Sequence, residues 1–429
     1  MTEIAILGYG IVGSGVADLM DRNADRIATR CGIPIRVKRI LDNRAFPESP
    51  HRHLITGRME DILADDGIRI VVETIGGASI AYELTKQAIL SGRHVVTSNK
   101  ELIAVHGPEL LEMAMRNDVH YLFEASVGGG IPIIRPMIQC LATNEIHHVA
   151  GILNATTNYI LTRMRREGLS FAAALLDAQK KGYAESDPES DIQGHDACRK
   201  LAILSTIAYD TFIDYRDILT EGISGIGPMD MAYAGKLGGS IRLIAESRRT
   251  DAGIFARVGP VIVPDGSPLA HVEDVYNAIL VEGDALGAAM FYGKGAGKYP
   301  TASAVVADIM DIVRNPGTTG RHQWRRTDTT VVADPLDGRV DLFIRLRTGG
   351  DPEAVRQMAG RLFGKPEFLV LDHPDARDEL AFLTGIGIER EHRAKLKMLG
   401  NAMALADIEP GANMPAGILG VLQHWNFSD

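Results

Sequence analysis

Cysteine is scarce: Cys31, Cys140 and Cys198 are scattered through 429 residues with no CxxC spacing. An odd, dispersed set offers neither a disulfide framework nor a zinc site, and free thiols pack as small hydrophobes, so all three are expected as reduced core residues. Positive charge is also in deficit. The formal net charge of −10 argues against a general nucleic-acid binder, which needs a basic surface to neutralise phosphates. No apolar run approaches the roughly 20 residues that span a bilayer. The opening MTEIAILGYG shows no basic n-region or cleavage site, so the cytoplasm is the expected location. Repeats and low-complexity segments are absent, and with 45% apolar and 23% charged residues the composition is that of a folded globular protein. A chain of 429 residues exceeds what one core usually organises, so two or three domains are expected.

Up to about residue 130, the apolar runs EIAILG, IRVKRILD, IRIVVET, HVVTSN and VHYLFEA alternate with stretches of helical periodicity over Ser14–Thr29, Met59–Asp65, Ile80–Leu90 and Pro108–Asn117. Short runs rich in Val and Ile, separated by amphipathic helices, imply a parallel sheet covered on both faces. The character changes after Gly128-Gly129-Gly130 and Pro132. Helices are expected near 157–166, 170–181, 194–209 and 230–236, with IRLIAES and ARVGPVIV as strands of an antiparallel or mixed sheet. From 337 to 429 the order strand, helix, strand, strand, helix, with a final strand in PAGILGVLQHW, suggests a small ferredoxin-like α+β module.

Gly8, Gly10 and Gly13 form GxGxxG directly after a strand and before a helix, the context that a dinucleotide fingerprint requires. The first glycine permits a tight turn, the second lets backbone approach a pyrophosphate, and the third allows close packing of the helix. Asp42, ending the second strand, is positioned to accept from ribose hydroxyls. That favours NAD, while Arg44 and Arg39 offer a partner for the 2′-phosphate of NADP, so the cofactor is NAD or NADP.

Lys100 follows the strand HVVTSN, and ligands of doubly wound sheets sit at the carboxyl ends of strands. A cation there polarises a carbonyl as hydride arrives. The densest polar cluster is GYAESDPESDIQGHDACRKLAIL, with Glu185, Asp187, Glu189 and Asp191 ahead of Asp196 and Lys200. Asp196 and Lys200, four residues apart, share a helical face, so the aspartate can orient the ammonium. An isolated DxxxK is more often an exposed ion pair, but this helix continues into the apolar LAILSTIAY, which suits a buried element. The carboxylates do not have the turn and spacing of an EF-hand.

Together the segments GYGIVGSGV, VVTSNKELIA, FEASVGGGIPII, GILNATTNYIL, KKGYAESDPESDIQGHDACRKLAIL and GKGAGKYPTASAVVADIMDIV resemble homoserine dehydrogenases, in the family's order over roughly 3–315. The resemblance implies an α/β fold with a Rossmann-type dinucleotide-binding domain (1–130, completed by a return segment near 296–325). An α+β substrate and dimerisation domain (131–295) and a divergent ACT-like module (337–429) complete it. It implies NAD(P)-dependent interconversion of L-homoserine and L-aspartate 4-semialdehyde by a homodimer or homotetramer serving threonine and methionine biosynthesis. Gly8, Gly10, Ile11, Val12, Gly13, Asp42, Arg44, Thr74, Ser98, Lys100 and Gly297 would meet the cofactor, with Lys100, Lys200 and Asp196 catalytic. Gly182, Tyr183, Glu185 and Asp191 would line the substrate pocket. A monovalent cation, usually sodium, would be held at Glu124, Val127, Gly129 and Ile131, mostly through carbonyl oxygens. The sequence departs from the family pattern at Ala155, Lys294 and Lys298, and where an effector turn is expected it has Gly-Gly-Asp-Pro at 349–352. The rival readings are a related semialdehyde dehydrogenase and a silent nucleotide-sensing protein.

Overall fold

A computed structural model of the chain describes residues 1–317, 324, 331–349, 351–404 and 418–425. The end of the expected return segment, 318–325 apart from Trp324, lies outside the described residues, as do Gly350 and residues 405–417 and 426–429 of the C-terminal segment.

The first part of the chain runs β1 (Thr2–Leu7), α1 (Ile11–Arg22), α2 (Ala24–Cys31), β2 (Ile35–Leu41), β3 (Ile55–Thr56), α3 (Glu60–Leu63), β4 (Ile68–Glu73), α4 (Ser79–Leu90), β5 (His94–Thr97), α5 (Lys100–Arg116) and β6 (Tyr121–Leu122). Every strand pair is parallel, in the order β3-β2-β1-β4-β5-β6. This is the doubly wound order, with its reversal between β1 and β4. Ile4 through Leu7 are fully buried, as a strand covered on both faces must be.

Two helices differ from the expected spans. The stretch 14–29 is two helices because Asn23, at φ −110° and ψ 19°, leaves the helical region and closes α1 with its N–H on Leu19. Helix α5 begins at Lys100 and passes through Pro108, where the sequence suggested a start. Asn99 supplies the earlier start by accepting from the Leu102 N–H at 3.0 Å.

The chain continues through β7 (Ile146–Ile152), α6 (Ala155–Glu167), α7 (Phe171–Lys180), α8 (Glu189–Ile192), α9 (His195–Tyr209), β8 (Leu219–Thr220), α10 (Pro228–Lys236), β9 (Gly239–Thr250), β10 (Gly253–Pro264), β11 (Tyr276–Gly283), β12 (Gly287–Lys294) and α11 (Lys298–Arg314). The expected strands over IRLIAES and ARVGPVIV are the two arms of an antiparallel hairpin, β9 and β10. Strands β7, β11 and β12, antiparallel neighbours, are additional to those read from the sequence. The edge strand β12 is exposed or half-buried along its whole length, and its more exposed positions include the apolar Met290 and Tyr292, so it carries no alternation of polarity to read.

The C-terminal segment runs β13 (Arg339–Arg347), α12 (Pro352–Phe363), β14 (Glu367–Leu369), β15 (Glu379–Leu383), β16 (Gly387–Ile388), α13 (Glu389–Ala404) and β17 (Ile418–His424). Its main strands lie in the order β17-β13-β15-β14, and β17 also pairs in parallel with β10. Leu342, Ile344, Val355, Phe382 and Leu399 form its core.

The chain divides into two compact units, one of residues 1–153, 198–217 and 276–331 and the other of 154–197, 218–275 and 332–429. In the first unit, α11 joins the core of the parallel sheet, with Ala302, Val305 and Ile309 packed beside Ile4, Val16 and Val72. The boundary passes within α9, so Asp196 belongs to the second unit and Lys200 to the first. Among the described residues, no helix is long and apolar enough to cross a membrane. Cys198 is buried and Cys31 half-buried, but Cys140 is exposed, which corrects the expectation of three core thiols.

Candidate active site

The turn after β1 has the geometry expected of GxGxxG. Gly8 lies at φ +92°, a region L-residues avoid, and a Cβ on Gly13 would collide with the Gly8 carbonyl. A Cβ on Gly10 would meet nothing within 4 Å, and Gly10 caps α1 with no side-chain acceptor, so the approach to the first-turn amides is open. This is a cradle for a pyrophosphate. Ile11 beside it is 72% exposed, and Val12 is half-buried. Thr74 secures the turn by donating to the carbonyls of Leu7 and Gly8 at 3.0 and 2.8 Å. Gly297, at φ +120°, precedes α11, whose Lys298 pairs with Asp18 on α1 at 2.7 Å.

Asp42 accepts from the Tyr9 N–H at 2.8 Å and from Arg44 through its backbone N–H, Nε and Nη2 at 2.9–3.0 Å. The Arg44 guanidinium holds the Asp42 carboxyl far below the usual carboxylate range. Arg44 itself is exposed and lies 5.1 Å over the ring of Phe46.

Lys100 is the first residue of α5 and is half-buried, and Ser98 lies two residues before it. Its position is set from below. Glu73, fully buried at the tip of β4, accepts from the Ile75 N–H at 2.6 Å and from the Thr97 hydroxyl at 2.5 Å. Thr97 in turn accepts from the Asn99 N–H at 2.9 Å, and the Asn99 amide donates to the carbonyls of Ile75 and Gly77. Burial pushes the Glu73 carboxyl up to about 7 against these donors.

Lys200 is 8% exposed and its Nζ donates to the Leu153 carbonyl at 2.8 Å. Within the same unit, Glu101 on α5 and Arg199 on α9 pair at 3.7 Å. Each is one residue from a candidate lysine, so the helix turns that carry Lys100 and Lys200 are neighbours.

In the second unit, the Asn154 amide donates 2.8 Å bonds to both Asp191 and Asp196, while its oxygen caps α6 through the Thr157 N–H at 2.9 Å. Asp196 is 3% exposed. Thr156 donates to the Tyr183 carbonyl at 2.8 Å, and Gln179 to that of Glu185 at 3.1 Å. Glu185, Gly182 and Tyr183 are all exposed, and Gly182 sits at φ +73°. Asn154 and Thr156 were not among the residues singled out from sequence. The signal available was their place in NATTNY, where a polar cluster opens a helix.

Glu124 accepts through its carboxylate from the N–H groups of Ile133, Ile134 and Arg135 at 2.6–2.9 Å. Its own N–H donates to Asp308 on α11, which also pairs with Arg135. Burial raises the Asp308 carboxyl to about 7. Gly129, at φ +58°, lies so near the Gly295 carbonyl that no side chain would fit, and Gly130 donates to Lys294. Val127 and Ile131 are buried in this turn. Such a compact, glycine-closed turn suits coordination by backbone carbonyls, which are neutral hard donors. Among the described residues, no group of three or more His, Cys, Asp or Glu is disposed to hold a metal.

Two family profiles match the chain: homoserine dehydrogenase, NAD binding domain, over 8–124, and homoserine dehydrogenase over 132–310. The homoserine dehydrogenase of Pseudomonas aeruginosa is 44% identical over 313 residues, 73% of this chain and 72% of that one. The chain belongs to the homoserine dehydrogenase family. It is accordingly an NAD(P)-dependent oxidoreductase of the class acting on a CH–OH group. The Bacillus subtilis homoserine dehydrogenase is 38% identical, covering 80% of this chain and 81% of that one. Among solved structures, one from Thiobacillus denitrificans superposes with a TM-score of 0.86 at 35% identity, covering 99% and 98% of the two chains. A hyperthermophilic archaeal homoserine dehydrogenase mutant in complex with NADPH superposes with a TM-score of 0.62 at 28% identity, over 72% of this chain and 97% of that one.

Two of the departures from the family pattern, Ala155 and Lys298, are accommodated. Ala155 opens α6, and the positive-φ residues other than glycine, among those described, are Asp118, Asp210 and Asp274. Lys298 is absorbed by its pair with Asp18.

Proposed function

We propose that the protein interconverts L-homoserine and L-aspartate 4-semialdehyde, with Lys100 and Lys200 acting on the oxygen of the reacting carbon. A nicotinamide dinucleotide, its pyrophosphate held at the Gly8–Gly13 turn, would supply or accept the hydride. In the reducing direction the ammonium groups of Lys100 and Lys200 stabilise the alkoxide as it forms, and water held near Asp196 delivers its proton. In the oxidising direction the water held near Asp196 takes the hydroxyl proton, while the two ammonium groups stabilise the alkoxide from which hydride leaves. Glu185 receives the substrate ammonium, while Gly182, Tyr183 and Asp191 shape the pocket around it.

The observation that carries this reading is the Glu101–Arg199 pair at 3.7 Å, which keeps the two lysine-bearing turns together at the carboxyl edge of the parallel sheet. Within the second unit, Asn154 fixes the carboxylate of Asp196. The test is nicotinamide absorbance with purified protein, homoserine and either oxidised cofactor, then semialdehyde and either reduced cofactor. No turnover in any combination would defeat the proposal.

For the nucleotide, Asp42 favours NAD. Its carboxylate stays ionised where a 2′-phosphate would come, and Arg44 is already engaged by it. For the cation, the turn at Glu124, Val127, Gly129 and Ile131 offers sodium backbone carbonyls. A cytoplasmic homodimer or homotetramer follows from the family resemblance.

A further inference from the structure

We infer that Glu73 is a positioning residue for the reaction, acting through Thr97 and Asn99 on the first turn of α5 and so on the ammonium of Lys100. The inference rests on the role given to Lys100 above. Three features of the geometry carry it.

The first is connectivity. From Glu73 an uninterrupted chain of bonds runs to the Thr97 hydroxyl at 2.5 Å, from Thr97 to the Asn99 N–H at 2.9 Å, and from the Asn99 oxygen to the Leu102 N–H at 3.0 Å. Lys100 lies inside the loop that these bonds close. Its backbone direction is therefore set by a carboxylate 27 positions earlier, on the adjacent strand of the sheet.

The second is sidedness. Thr74, next to Glu73, bonds in the opposite direction, to the carbonyls of Leu7 and Gly8. The two residues at the tip of β4 thus hold the phosphate turn on one side and the lysine turn on the other.

The third is chemistry. Glu73 is fully buried, a costly place for a carboxylate when a hydrophobic residue would pack as well. The titratable group that faces it from β6 is Tyr121, whose buried hydroxyl has no hydrogen-bond partner. From β5 and the loops that follow β4 and β5 it meets the neutral donors Thr97, Asn99 and the Ile75 N–H. Both oxygens are acceptors in this arrangement. Protonation would turn one into a donor, reverse the bond to Thr97 and leave that hydroxyl's hydrogen to find another acceptor. Because burial holds the group near 7, this reversal falls in the working range of the protein.

Glu73→Gln reproduces the shape and the donor character of the protonated acid. Its expected effect is a loss of about ten- to a hundredfold in kcat at pH 8.5, with KM for the nucleotide little changed, since misplacement of a reacting group acts on the chemical step. The rise of kcat between pH 6 and 8 should also flatten, an effect that a merely structural role would not produce. Thr97→Val, which removes the hydroxyl at constant shape, should lower kcat in the same way. Wild-type kcat and an unchanged pH profile in Glu73→Gln overturn the inference. So does loss of the folded state in both variants, which would make the network a matter of stability alone. Lys100→Ala is measured in parallel. If it keeps full kcat, the role of Lys100 fails. If it is inactive while Glu73→Gln equals the wild type, only the present inference fails.

Discussion

The Lys200 ammonium donates to the carbonyl oxygen of Leu153 at 2.8 Å, the residue immediately before Asn154. The dipeptide 153–154 therefore holds both polar groups of the DxxxK pair, Lys200 through a carbonyl and Asp196 through an amide. A lysine anchored in this way keeps its remaining N–H bonds in a fixed direction, which is what an alkoxide stabiliser needs. Lys200→Ala should lower kcat by about 10²- to 10³-fold, as loss of one such donor does elsewhere. Nucleotide affinity, measured by cofactor fluorescence, should stay at the wild-type value. Retained turnover would remove Lys200 from the chemistry.

Asn154 separates two carboxylates that would otherwise repel each other. Asn154→Ala should cost about 1 kcal/mol through the lost cap of α6. It should also lower kcat/KM for homoserine, because Asp196 loses its orienting donor. Asn154→Asp keeps the cap acceptor but adds a third negative charge, so it should be folded and yet less active than the alanine variant. Thermal melts and steady-state kinetics on the pair separate cap from charge. An active aspartate variant would contradict the arrangement.

Asp42 and Arg44 neutralise one another where the proposed site would take the ribose. Asp42→Ser should free the guanidinium for a 2′-phosphate. A charge-assisted bond contributes about 1.5–3 kcal/mol, so the ratio of kcat/KM for NADP over NAD should rise by at least about tenfold. An unchanged ratio would place the 2′ position elsewhere.

Acid should loosen the far edge of the parallel sheet. His94 Nδ1 accepts from the His120 N–H at 3.0 Å and the two rings lie 5.1 Å apart. Burial, with His120 nearby, lowers His94 from 6.5 to about 4. The neutral ring is bound in the folded state, so its stabilisation is complete above pH 6.5 and is lost as pH falls toward 4. The melting temperature should drop over that window, and His94→Asn should drop less steeply. Equal slopes in the two proteins would rule out His94 as the titrating group.

What could be read from sequence was chemistry that is local along the chain. Gly8 and Gly13 declare a turn because only glycine adopts or fits those positions, Gly10 leaves the approach to the first-turn amides open, and the DxxxK of Asp196 and Lys200 declares a shared helical face. The doubly wound sheet followed from buried Val- and Ile-rich runs. What could not be read was bonded at long range. A Glu ending a strand reads as any polar boundary, and its partner Thr97 lies 24 residues on. Asn154 meets Asp191 and Asp196 over 37 and 42 residues. Pro108 misled as a helix start because the stronger signal, the Asn99 cap, stood a full helical stretch earlier. Strand β12 escaped because its more exposed positions include the apolar Met290 and Tyr292, so its alternation of burial is not one of polarity.

The tip of β4 acts as a ruler. Consecutive residues on a strand are spaced about 3.3 Å apart and point to opposite sides, and neither quantity can be tuned by mutation elsewhere. With Thr74 bonded to the turn proposed for the nucleotide and Glu73 to the turn that carries Lys100, the gap between those two turns is written into one peptide unit. On the proposed function, substrate preference would drift through changes around Tyr183 and Glu185 while the spacing of the two turns tied to Glu73 and Thr74 stays constant.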